Sequence, residues 1–389
     1  MMVVLQVLPA LISGGVERGT VEITEAIVRA GGTALVASAG GPMATAVERA
    51  GGRHIGLPLL TRDPVNILIN ARKLARVIRS NGVDLVHARS RAPAWSAWLA
   101  ARRTGTPFVT TYHGAYGEGF PLKRLYNSVM ARGDRVIAIS DFIAGLITER
   151  HGVGPDRLRV IPRGVDTAIF DPALVTGDRI DKLARAWRVP DGAYTVVLPG
   201  RLSGWKGHTV VLEAVAKLKR PDICCVFVGR GNRRAARRLA SRGEALGLGA
   251  RLRIVGHVDD MPAALMLSDV VVHASTEPEA FGRVVIEAQA MGRPVIASDL
   301  GGPAETVENG VTGWLVVPGD VDQLAATIDY ALRLDDDGRA ALGMQARHAV
   351  LERYTTWAMQ DATIAVYAEL LGQSAAAEPE TGDLREHAA

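Results

Sequence analysis

Short apolar runs at residues 2–8, 34–38, 85–88, 108–112 and 135–139 are separated by stretches of helical period, of which 21–30 is one. Strands that recur with a helix between them pair in parallel through crossover connections, so this pattern confines the first half of the chain to a parallel α/β sheet. After Val160-Ile161-Pro162-Arg163-Gly164-Val165-Asp166 the pattern loosens through Pro172, Gly177 and Pro190, then restarts. Runs at 196–199, 223–228, 253–255, 270–273, 295–297 and 313–316 read as a second sheet. The sequence therefore predicts two doubly wound parallel-sheet domains, residues 1–170 and 190–352, joined between 166 and 190. A chain of 389 residues suits two domains of ~100–200 residues each.

Beyond the second sheet, Trp357, Ile364, Tyr367 and Leu371 recur at helical spacing and predict an amphipathic helix over about 356–372. The tail 374–389 is rich in Ala and Glu, has Leu384 as its one large apolar residue, and is expected to be disordered. With 48% hydrophobic and 22% charged residues, the bulk of the chain is excluded from the disordered class. Cys224 and Cys225 are adjacent in an apolar run, where a strand sends them to opposite faces, so a disulfide framework and a cysteine zinc site are both excluded. Residues 1–12 are apolar but lack a basic start and read as a buried strand rather than a signal peptide. No apolar run approaches the ~20 residues of a membrane span, so a cytoplasmic protein is expected, any membrane contact being peripheral at the inner membrane. A net charge of +4 from 45 Lys plus Arg is compatible with an anionic partner.

Ligands of doubly wound domains bind at the carboxyl ends of the strands, and three stretches there carry chemistry. Ser13-Gly14-Gly15-Val16-Glu17-Arg18-Gly19 follows the first strand and opens a helix, where amides and the helix dipole can meet an anion. A glycine turn without a ligand is the plain alternative. The spacing is not G-x-G-x-x-G and the second strand ends without an acid, which disfavours a dinucleotide-dependent dehydrogenase. Pro199-Gly200-Arg201-Leu202-Ser203-Gly204-Trp205-Lys206-Gly207 pairs a planar guanidinium with a compact ammonium at a strand end, a combination suited to neutralising a departing diphosphate. In Glu277-Pro278-Glu279-Ala280-Phe281-Gly282-Arg283-Val284-Val285-Ile286-Glu287, seven residues separate Glu279 from Glu287. At about 1.5 Å rise per residue the helical part sets the two carboxylates roughly one sugar unit apart. The amides around Phe281 and Gly282 can cradle an oxyanion or hydroxyls.

These stretches, with Gly301-Gly302-Pro303-Ala304-Glu305 and Asn309-Gly310-Val311-Thr312-Gly313, together resemble the family 4 glycosyltransferases, in order and spacing, to about Leu371. The resemblance implies the GT-B fold, two Rossmann-like domains facing a central cleft, with the C-terminal helix crossing back onto the first. It implies a retaining, metal-independent transfer of a hexose from a nucleotide diphosphate sugar, with no other cofactor. By the same resemblance Arg201 and Lys206 hold the donor diphosphate, Glu287 the ribose and Glu279 the transferred sugar. The Gly15 amide touches the phosphate, His113 in Thr111-Tyr112-His113-Gly114 lies near the donor sugar, and Arg230 and Val258 flank the nucleobase. Resemblance to envelope glycosyltransferases, including those of lipopolysaccharide biosynthesis, makes a glycan or lipid-linked acceptor the expected partner. A non-catalytic nucleotide-sugar-binding protein of the same fold and a nucleotide-sugar epimerase stand as alternatives.

On the acceptor side, Arg89 and Arg91 precede Trp95 and Trp98, while Lys123 and Arg124 lie among Tyr116, Phe120 and Tyr126. Cations with amphipathic rings suit an acceptor pocket or contact with an anionic membrane. Alternatively, Trp95 and Trp98 pack a helix onto the sheet. Asp335, Asp336 and Asp337 are read as an interhelical loop rather than a metal motif. The arginines of 233–242 are read as a solvated face, with no nucleic acid expected. No G-x-S-x-G elbow supports a serine hydrolase.

Overall fold

The computed structural model describes residues 1–119 and 121–372; Phe120 and residues 373–389, which include the tail 374–389, lie outside the described residues. In the first half β1 (Val3–Val7), β2 (Thr33–Ser38), β3 (Arg53–Gly56), β4 (Leu85–Ala88), β5 (Phe108–Tyr112), β6 (Arg135–Ala138) and β7 (Leu158–Val160) pair in parallel in the order β3-β2-β1-β4-β5-β6-β7. In the second half β8 (Tyr194–Pro199), β9 (Ile223–Val228), β10 (Leu252–Gly256), β11 (Val270–His273), β12 (Val295–Ser298) and β13 (Trp314–Val316) follow the order β10-β9-β8-β11-β12-β13. Two strands, β3 and β7, escape the sequence pattern. They are short edge strands whose side chains are only partly buried, so no continuous apolar run marks them.

Strand order reverses direction between β1 and β4 and again between β8 and β11. A doubly wound sheet opens a crevice at such a point. The residues that leave β1, β4, β8 and β11 are therefore the ones topology brings to ligand. Cys224 and Cys225 alternate as expected: each is fully buried, in a different apolar cluster on opposite faces of the second sheet.

The terminal helix Thr356–Leu371 returns to the first domain, where Met359, Val366 and Tyr367 share a core with Val4, Ile23, Ile27 and Leu85. The two chain crossings between the domains touch: the Val165 amide donates to the Tyr354 carbonyl and the Thr356 amide to the Val165 carbonyl, 2.8 and 2.9 Å. Deep in this core Tyr367 Oη lies 2.6 Å from His87 Nδ1, and Thr111 Oγ1 lies 2.7 Å from Nε2. Burial, reinforced by the charges of Arg89 and Arg163, holds the His87 imidazole well below its ordinary pKa, hence neutral. Tyr367→Phe leaves one imidazole nitrogen without a partner, and urea unfolding is expected to show a loss of ~1–3 kcal/mol.

Candidate active site

A cavity of about 760 Å³ opens between the carboxyl ends of the two sheets. Its second-domain wall is built from Gly200, Arg201 and Lys206 after β8 and from Glu279, Gly282 and Glu287 after β11. The two loops are pinned together. The Thr276 amide donates to the Trp205 carbonyl, 2.7 Å, and Gly207 sits so close to the end of β11 that an added Cβ would lie 1.8 Å from the Ala274 carbonyl oxygen.

This pinning delivers Lys206 to Glu279. Oε1 of Glu279 accepts from Lys206 Nζ at 2.5 Å, lies 2.7 Å from His273 Nε2, and also accepts from the Ser275 hydroxyl. Burial opposes ionisation of Glu279, but the hydrogen bond and charge of His273 and the charge of Lys206 outweigh it and hold the carboxyl well below the usual range. Glu279 is thus a fixed carboxylate whose Oε1 carries all three contacts. Behind it, the Gly302 amide donates to the Glu279 carbonyl, 2.9 Å, and the Gly301–Gly302 backbone passes too close to 278–281 for side chains.

The helix Arg283–Ala290 begins after Gly282, which adopts φ +77°, and places Glu287 one turn in. Burial pushes the Glu287 carboxyl up, an effect that Arg283 and Arg18 oppose and Glu22 reinforces. Arg18 and Glu22 come from the facing helix Gly15–Arg29 of the first domain. Arg18 lies 3.6 Å from Glu287 and 3.3 Å from Glu22, while Glu22 lies 2.8 Å from Arg283. Arg283 also donates to the Gly164 carbonyl at 2.9 Å, so four alternating charges lace the cavity's two sides together. In the sequence Arg18/Glu22 and Arg283/Glu287 are visible as two i,i+4 pairs. That they exchange partners across the cleft is not.

A second link between the domains also escaped the sequence. Glu305 accepts from the amides of Asp141 and Phe142 and so caps a first-domain helix, Asp141–His151, from the second domain. Ser140 Oγ donates to the Ala280 carbonyl beside it, 2.7 Å.

His113, Gly15, Arg230 and Phe281 are not among the residues that line the cavity. His113 and Gly15 come together nonetheless. Arg163 Nη2 lies 2.8 Å from His113 Nδ1 and donates to the Gly15 carbonyl at 3.2 Å. A guanidinium only donates, so Nδ1 accepts and the imidazole proton sits on Nε2, which is buried without a partner. Burial first, then the charges of Arg163 and Arg89, hold this histidine well below its ordinary pKa. Arg230 is exposed beyond β9 and Phe281 is buried against Tyr354; Val258 does line the cavity.

The acceptor-side expectation needs correcting at Arg89. It is 2% exposed, donates to Gln6 Oε1 and lies beneath the helix Gly15–Arg29, so it faces neither solvent nor acceptor. Its position directly after β4, at the centre of the sheet, buries it, and Gly19 leaves room for it beside Arg163. Arg91 is committed to Asn127 and stacks 4.0 Å over Tyr116. Trp95 donates to the Tyr126 carbonyl and packs edge-on against Trp98, in line with the packing alternative. Arg124 donates to the Arg150 carbonyl, and neither it nor Lys123 lines the cavity. Asp335 caps the helix Asp336–Arg353, and the arginines of 233–242 are exposed. Among the described residues no cluster of three or more His, Cys, Asp or Glu is placed to hold a metal, and no helix is long and apolar enough to cross a membrane.

Residues 13–169 match the family described as Glycosyltransferase Family 4, and residues 179–349 the one described as Glycosyl transferases group 1. The D-inositol 3-phosphate glycosyltransferase of Mycobacterium tuberculosis (strain ATCC 25618 / H37Rv) is 32% identical over 326 residues, which span 77% of this chain and 65% of the relative. The chain thus spans just under two thirds of the length of such curated relatives. A glycosyltransferase of Rickettsia africae superposes with a TM-score of 0.89 at 38% identity, covering 96% of this chain and 99% of that one. Anabaena HepE, solved in complex with UDP and glucose, superposes with a TM-score of 0.83 at 25% identity, covering 95% and 100%.

Proposed function

Because the chain belongs to the family 4 and group 1 glycosyltransferases and shares their GT-B architecture, we propose that it is a retaining, metal-independent glycosyltransferase, moving a hexose from a nucleotide diphosphate sugar to a phosphorylated or lipid-linked glycan of the bacterial envelope. The observation that carries this reading is the Lys206–Glu279 pair, fixed in the wall of the interdomain cavity beside Arg201. Arg201 and Lys206 take the diphosphate, Glu279 the hydroxyls of the transferred sugar and Glu287 the ribose, with Val258 and Arg230 toward the base. His113 offers its Nε2 proton to the donor sugar, and the helix opening at Gly15 meets the phosphate from the first domain.

In the reaction the bond between the anomeric carbon and the diphosphate oxygen breaks, and a bond to the acceptor hydroxyl forms on the same face. The hydroxyl proton passes to the departing phosphate. The three partners on Oε1 of Glu279 fix the carboxylate and lower its basicity, which suits a binding group better than a nucleophile and favours front-face departure over a covalent intermediate. The charge that develops on the diphosphate is met by pre-placed cations, the electrostatic device that usually contributes most to catalysis. The names of the relatives favour UDP-glucose among donors and a phosphorylated polyol among acceptors.

A thermal-shift panel of UDP-, GDP- and ADP-sugars tests the reading. A donor present at ~100 times its Kd stabilises the fold by ~2.7 kcal/mol, so one nucleotide class is expected to raise the melting temperature clearly. If none does, the proposal fails. Product analysis without acceptor separates transfer and slow donor hydrolysis from epimerisation.

A further inference from the structure

Arg163, on the loop after β7, is a cation in a place that disfavours one. It is 5% exposed, and its guanidinium has three hydrogen-bond partners, none of them anionic: His113 Nδ1 at 2.8 Å, the Gly15 carbonyl at 3.2 Å and Met359 Sδ at 3.8 Å. Arg89 is buried beside it, so two guanidiniums share the space beneath the helix Gly15–Arg29. Burial and the charges of Arg89 and Arg283, opposed by that of Glu22, pull Arg163 down to about 9, which leaves it charged at neutral pH. A buried cation without a hydrogen-bonded anion is costly, and a position that only filled a core would hold an apolar side chain.

The helix above makes room for this pair at its own expense. Gly19 lies in its second turn, has no positive φ that would call for glycine, and is a poor helix former. An added Cβ there would lie 2.5 Å from Arg163 Nη1 and 3.0 Å from Arg89 Nη2.

We propose that Arg163 is a positioning residue for glycosyl transfer: its Nη2 holds His113 as the neutral Nε2–H tautomer and anchors the first helical turn at Gly15, in space that Gly19 keeps open. A carboxylate or carbonyl on Nδ1–H, the common orienter of histidine, leaves Nε2 an acceptor. A guanidinium does the reverse. It makes Nε2 a donor and repels a second proton, so His113 can give a hydrogen bond to a sugar oxygen but serves neither as base nor as acid. The charged groups acting on the ring, Arg163 and Arg89 at the end of β4, are both cations, and His87 of β4 is neutral. Nε2 is buried without a partner, as a donor kept for a ligand oxygen would be. The inference rests on the reading that His113 and the helix start at Gly15 face the donor.

NMR of the full chain with isotope-labelled histidine reads the two ring nitrogens of His113, assigned with His113→Asn. The wild type is expected to show a protonated Nε2 and a bare Nδ1 throughout about pH 5–8. In Arg163→Met this pattern is expected to give way to mixed tautomers, with turnover at saturating donor lowered at least ~10-fold, the scale of one hydrogen bond to a charged group. Gly19→Ala, which keeps Arg163 but crowds its guanidinium, is expected to move both readouts in the same direction by less, and it carries the test where Arg163→Met does not fold. A merely structural arginine would lower the melting temperature and leave the ring nitrogens as they are. A wild-type His113 that titrates in that range or carries its proton on Nδ1 overturns the proposal, as do folded variants in which either the tautomer or the turnover stays that of the wild type. A melting temperature that no nucleotide sugar raises is a separate failure, that of the donor site itself; altered ring nitrogens with unaltered turnover in an enzyme that binds donor are the failure of this proposal alone.

Discussion

Lys206→Ala is expected to lower turnover at saturating donor by at least ~100-fold, the scale of removing one pre-placed charge-stabilising group. The ammonium is half of the cationic pair proposed to meet the diphosphate, and the other half, Arg201, is exposed and has no ion-pair partner among the described residues. A second consequence follows at Glu279. The carboxyl lies below the usual range partly through the charge of Lys206, so removing the cation disfavours the ionised form and raises its pKa. The acid limb of the pH profile of kcat/KM should therefore move upward in the variant, while the wild type keeps Glu279 ionised across the working range. Unfolding by urea checks that the fold survives. Near-normal turnover, or an unmoved acid limb in a folded variant, removes the assignment.

Gly207→Ala is expected to cost more than about 3 kcal/mol of stability and to abolish donor binding together with it. Gly207 has φ +73°, a conformation an alanine enters only with strain, and its added Cβ would meet the Ala274 carbonyl oxygen at 1.8 Å. That obstacle is backbone, not the far end of a flexible side chain. Relief requires the end of β11 to move away from the Lys206 turn, which separates Lys206 from Glu279. Gly204→Ala, in the same turn with open space around its Cβ and no positive φ, is the control and should cost under ~1 kcal/mol. Urea unfolding of the two variants side by side reads the difference; equal costs would mean that the close approach at Gly207 is not what holds the two loops together.

The central strands were legible because helices cover both faces of a parallel sheet, so they appear as unbroken apolar runs. The edge strands β3 and β7 lacked that signal. The cavity-lining residues Lys206, Glu279 and Glu287 were legible because position just beyond a strand end and charge type suffice to nominate them. Arg89 was misread for the same reason: a cation after a strand end looks available until the strand proves to be central and a helix lies over it. Arg18, Glu22, Arg283 and Glu305 carry charges that could have paired locally, and only the folded chain shows Glu22 meeting a partner 261 residues away.

The return of Thr356–Leu371 to the first domain sets the order in which this molecule can be completed. A nascent chain emerges at ~5–20 residues per second and its domains commonly fold as they appear. Here the first domain to emerge is the last to close, because Met359, Val366 and Tyr367 fill its core and Tyr367 satisfies His87. The second domain, whose strands β8 to β13 lie in one continuous stretch, is free to fold while the first still waits on the ribosome for its final helix. A chain cut before Thr356 would leave a finished second domain joined to a first one with an open apolar face, a natural substrate for chaperones and for quality-control proteolysis.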